Sequence, residues 1–68
     1  MGTLFDLSQR FTKEMEARYP DPMELLRAKG EAAQKAGFMI SLVSATDADD
    51  PDRIARLRDA ARELGIDL

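Results

Sequence analysis

Residues 37–52 read GFMISLVSATDADDPD, and the reading of this stretch decides the fold. Phe38, Met39, Ile40, Leu42, Val43 and Ala45 are apolar, with Ser41 interrupting them. Asp47, Asp49, Asp50 and Asp52 then fall close together. The stretch can be a buried strand followed by a metal loop, a recognition helix, or a core helix that ends in a capped turn. A strand is disfavoured because the chain has no second β-rich run to pair with it. A calcium loop fails on spacing: its third acid would fall on Pro51, its turn glycine on Asp52 and its bidentate glutamate on Arg58. Four acids beside a helix start fit the partial positive charge of that start better than they fit a cation.

Punctuation outward from this stretch defines three helices. Asp50-Pro51 places an acid at N-cap and proline at the first helical position, so helix 3 begins at Pro51. It is expected to run to about Leu64, with Ile54, Leu57, Ala61 and Leu64 inward. Gly65 is the left-handed terminator and Ile66 its hydrophobic companion. Asp21-Pro22-Met23-Glu24 repeats the device and adds a glutamate at the third position, so helix 2 begins at Pro22. Leu4, Leu7, Phe11, Met15 and Tyr19 recur at spacings of three and four, an amphipathic helix 1 over about residues 4–18. Thr3 is its expected cap, with Asp6 three residues on. Pro20 ends it by forcing Tyr19 out of helical geometry.

The end of helix 2 is the open point. Gly37 can terminate it, or the helix can continue to about Ala45. In the continuous reading, which is preferred, Leu26, Gly30, Ala33, Gly37, Ser41 and Ser44 line one face, and the small residues among them let another helix approach closely. The expected fold is therefore all-α: an antiparallel helical hairpin plus a third, C-terminal helix, in one small domain spanning residues 1–68.

Composition limits function. A 68-residue chain buries about 60% of its unfolded surface, so its core is marginal. It contains no cysteine and no histidine. Disulfides, thiolate metal sites and the commonest general base are therefore absent, and oligomerisation or docking is the remaining support. Neither a cofactor nor a metal is expected, and no catalytic residues stand out. Ser8, Ser41 and Ser44 have no base to activate them, and the chain is not expected to be an enzyme. With 13 acids against 10 bases the net charge is −3, unfavourable for a phosphate backbone. No run approaches the ~20 apolar residues that span a bilayer. A cytoplasmic location follows by default.

One resemblance bears on function. Ala32-Ala33-Gln34-Lys35-Ala36-Gly37-Phe38, followed by Leu42-Val43-Ser44, resembles the helix-turn-helix segment of many bacterial repressors. It implies a DNA-binding regulator that uses residues 29–46. The base-facing positions would be Met39, Ile40, Ser41, Ser44 and Ala45, none of them a usual reader of base edges. The leading expectation is instead a small acidic protein–protein interaction module. It would associate with itself, as a homo-oligomer, or dock on a larger protein as an inhibitor, adaptor or assembly subunit. Its apolar residues outnumber what one thin core needs, and methionines suit adaptable contacts. The candidate interface comprises Phe5, Phe11, Gly30, Ala33, Gly37, Phe38, Met39, Ile40 and Ser41.

Overall fold

A computed structural model describes residues 2–68. It contains three α-helices, α1 (Thr3–Arg18), α2 (Pro22–Ala36) and α3 (Pro51–Glu63), with a single 3-10 turn at Ile40–Leu42 between the last two. The all-α expectation holds. Both Asp-Pro starts form as read: Asp21 Oδ1 accepts the N–H of Met23 at 2.9 Å, and Asp50 Oδ1 accepts that of Asp52 at 2.9 Å. The end of α3 also forms as read. Gly65 adopts a φ of 77°, its N–H reaches the Arg62 carbonyl, and the Ile66 N–H reaches that of Ala61. This is the Schellman pattern, and Ile66 is buried beneath it.

Helix α2 departs from the preferred expectation. It stops at Ala36, and Gly37 takes the left-handed conformation at φ 81°. The Gly37 N–H closes the last turn on the Ala33 carbonyl at 2.8 Å. The physical reason is core geometry. A helix from Pro22 to Ala45 would be about 36 Å long against about 24 Å for α1, so its last turns would project beyond the bundle. Reversal at Gly37 instead folds Ile40 and Val43 back onto α1 and α2, where both are buried.

The two ends of α1 fix its direction relative to α3. At its start, Leu4 N–H donates to Asp49 Oδ1 at 3.0 Å, next to the cap of α3. At its end, Arg18 donates to the Gly65 carbonyl at 2.8 Å, just past the end of α3. The two helices therefore run in the same direction. Helix α2 turns back along α1 as the second arm of the hairpin, and its C-terminal end meets α3. Along its C-terminal end, Lys35 pairs with Glu63 at 3.1 Å, Gly37 lies against Arg56, and Phe38 lies under Arg53.

Leu4, Leu7, Phe11 and Met15 of α1 fill the core, together with Leu57, Ala60 and Ala61 of α3. Helix α2 contributes only alanines to the fully buried set: Ala28, Ala32 and Ala36, one per turn. This alanine row makes the close helix contact expected of the Gly30 row. The Gly30 row lies on the other side of α2, and a methyl group added at Gly30 would meet nothing within 4 Å. Ser8 is buried beside the core with its hydroxyl unpartnered among the described residues.

The cap of α1 also differs from expectation. Gly2, not Thr3, is the N-cap residue, and it has no side-chain oxygen to offer. Asp49 supplies one from 45 residues away. Chiefly the Leu4 N–H, with a smaller contribution from the N–H of Thr3, holds the Asp49 carboxyl below its ordinary value, against an opposing effect of desolvation. A carboxylate depressed in the folded state contributes stability that is present above its unfolded pKa and is lost as pH falls through the folded one. Acid unfolding followed by circular dichroism should therefore be less steep below the ordinary aspartate range in Asp49→Asn than in the wild type. Coincident acid limbs would show that the carboxylate contributes nothing as a cap.

Candidate interaction surface

The acidic residues after Ala45 each serve a different partner. Asp47 accepts the Ser44 N–H at 2.8 Å, Asp49 caps α1, Asp50 caps α3, and Asp52 pairs with Arg56 at 3.0 Å. Their carboxylates are therefore directed to separate tasks in the turn rather than toward a common centre. Among the described residues, no group of three or more metal-ligating side chains is close enough to hold an ion.

The concave features are equally plain. A cleft between Phe11, Met15, Lys29, Ala32, Met39 and Ile40 encloses about 20 Å³. That is room for one water and far below the ~300 Å³ at which small-molecule sites begin. A larger open groove of about 380 Å³ runs between Arg58, Arg62 and residues 65–68. Asp67 lies in it, and it sits at the negative end of the α3 dipole, so the two guanidinium groups do not make it an anion site.

Exposed apolar side chains are the distinctive surface feature. Met23 is 74% exposed, Leu26 68%, Met39 51% and Leu42 74%. They form two pairs. Met23 and Leu26 stand one turn apart on the N-terminal half of α2, where no residue before Ala28 is buried. Met39 and Leu42 flank the 3-10 turn. Lys29, one turn after Leu26, lines the cleft together with Met39 and thus links the two pairs along one side of the molecule.

The nine residues expected at an interface divide sharply. Met39, Ser41 and Gly30 are exposed, whereas Phe5, Ala33 and Phe38 are half-buried. Phe11 and Ile40 are corrections: at 2% and 6% exposure they are core residues with no surface to offer. Phe11 lies on the inward stripe of α1, and Ile40 is carried inward by the reversal at Gly37. Gly37 is exposed, but its α-carbon is covered by the Arg56 guanidinium, with Nη1 2.8 Å from where a β-carbon would stand. The Phe38 ring is covered in turn by Arg53, at 5.6 Å from the ring centroid. Met23, Leu26 and Leu42 belong to the surface instead. Met23 and Leu26 lie outside the Ala28, Ala32, Ala36 row, so their exposure follows once that row is the one that faces inward.

The same geometry bears on the helix-turn-helix resemblance. A recognition helix would have to follow Gly37, and residues 40–42 form only one 3-10 turn. Two of the four arginines that α3 could offer to phosphates, Arg53 and Arg56, lie over Phe38 and Gly37. No helix of the described residues is long and apolar enough to cross a membrane. Comparison with known proteins finds no matching family model, no matching curated protein and no matching solved structure.

Proposed function

We propose that the chain is a protein–protein interaction module that binds through its exposed apolar side chains rather than through a catalytic or cofactor site. The observation that carries this reading is the exposure of Met23, Leu26, Met39 and Leu42, each more than half accessible in a domain with a thin core. Burying one such side chain fully is worth about 1.5–3 kcal/mol. Covering several of them is enough to drive specific association once ordering costs are met. Met23 and Met39 add flexible thioethers that adapt to a partner surface. The missing recognition helix and the acidic balance make a protein partner a better fit than a nucleic acid.

Affinity capture from native lysate, run with the wild type, Leu26→Glu and Leu42→Glu, tests the reading. Both substitutions are at solvent-facing positions, so the helical circular dichroism signal should be retained. A protein held by the wild type and lost from either variant is the expected result. Equal recoveries from all three chains would refute binding through this surface.

A further inference from the structure

Helix α2 presents two faces of different character. Ala28, Ala32 and Ala36 face the core, while Met23, Leu26, Gly30 and Ala33 recur at spacings of three and four on the other side. Along this outer face size is graded. The large side chains lie in the N-terminal half and the small ones in the C-terminal half. Space over Gly30 is open. One rim carries Arg27 and Glu31, and neither forms an ion pair among the described residues. Lys29 is on the opposite edge, where it lines the cleft with Met39.

We infer that this face of α2 binds a second copy of the chain, antiparallel and about a two-fold axis, with Leu26 of each copy seated over Gly30 and Ala33 of the other. The inference rests on the interaction-module reading and names its partner. Two complementarities select the arrangement. Reversing the second helix sets large residues on small ones, and small residues allow helix axes to approach to about 8 Å. With the axis level with Lys29, Arg27 of one copy also lies opposite Glu31 of the other, and symmetry makes this pair twice. A parallel two-fold pair would instead place Leu26 on Leu26 and Gly30 on Gly30, large on large and small on small, and would turn the Arg27 and Glu31 rim of each copy toward the Lys29 edge of the other, so the Arg27–Glu31 pairs would not form. Only the antiparallel pair sets large residues on small ones and Arg27 opposite Glu31 at the same time.

Sedimentation equilibrium across a concentration series tests the inference, with charge exchange to identify the register. The wild type should dimerise, and Leu26→Glu should be monomeric with unchanged helical content. Arg27→Glu alone and Glu31→Arg alone should each weaken the dimer about tenfold, because two exposed pairs turn repulsive. Both substitutions in one chain should restore the wild-type constant to within about threefold. Gly30→Cys, which introduces the chain's only thiol, should form a disulfide-linked dimer under mild oxidation. A wild type that stays monomeric to about 1 mM, or a dimer indifferent to both single charge changes, overturns the inference. Neither result touches the lysate-capture outcome, so failure of self-pairing is distinguishable from failure of the interaction-module reading.

Discussion

Phe11→Ala is expected to unfold most of the population at room temperature. Phe11 is 2% exposed and sits in the middle of the α1 stripe, surrounded by core residues from the other elements. Truncating a buried phenylalanine costs about 3–5 kcal/mol, the sum of lost transfer energy and the cavity left behind. A domain of this length is stable by only about 3–10 kcal/mol, and with a core built partly of alanine this one belongs in the lower half of that range. The core cannot collapse around the vacancy, because Ala32 across from it has nothing to extend. Phe11→Leu keeps most of the volume and should lose about 1 kcal/mol. Urea unfolding followed by circular dichroism measures both. An interface phenylalanine would behave in the opposite way, leaving the urea midpoint in place while association was lost. That pattern in Phe11→Ala would return the residue to the surface and contradict the packing described above.

The contrast between Phe11 and Leu26 shows where sequence reasoning succeeds and where it stops. Helix starts are local events. Asp21-Pro22 and Asp50-Pro51 each hold their cap within three residues, so both were legible, as was the Gly65-Ile66 ending. The inward stripe of α1 was legible because only one periodic row of large apolar residues exists there. Helix α2 carries two rows, Ala28-Ala32-Ala36 and Leu26-Gly30-Ala33, and either could face the core by spacing alone. The row with the smaller side chains faces inward because α1 and α3 already supply the bulk, a fact about neighbours that no local pattern encodes. The stop at Gly37 was ambiguous for a related reason. Ala36, Ile40 and Val43 continue the buried spacing of α2, so the hydrophobic pattern reads the same whether the chain stays helical or reverses and folds back. The Asp49 cap on Leu4 spans 45 residues, so no motif could announce it. Thr3 is not the cap because the helix starts one residue earlier than expected, with Gly2 at the N-cap and Thr3 as the first helical residue. The interaction surface was legible only as a surplus of apolar residues; which ones were surplus depended on the choice of row.

Gly30 and Gly37 were candidates for one face of one long helix, and substituting alanine at each should move stability in opposite directions. Gly30 lies in the interior of α2 with helical geometry and open space around its α-carbon. Alanine there removes backbone freedom from the unfolded chain and should stabilise by about 0.5–1 kcal/mol. Gly37 is held at φ 81°, where any β-carbon is strained by about 1–2 kcal/mol. The added methyl group would also stand 2.8 Å from Arg56 Nη1, so the guanidinium would have to swing away from the turn and from Asp52. Gly37→Ala should therefore lose about 1–3 kcal/mol in total. For a domain of this size, 1 kcal/mol shifts the melting temperature by about 4–8 °C, which puts the two variants about 6–30 °C apart. Gly37→Asn tests the cause, because asparagine tolerates the left-handed region better than alanine and should recover part of the loss. Melts at low protein concentration keep association out of the comparison. If Gly37→Ala instead raised both the melting temperature and the helical signal, helix α2 would run on through Phe38 toward Ala45. Ile40 and Val43 would then leave the core, and the exposed pair at Met39 and Leu42 would have to be redrawn.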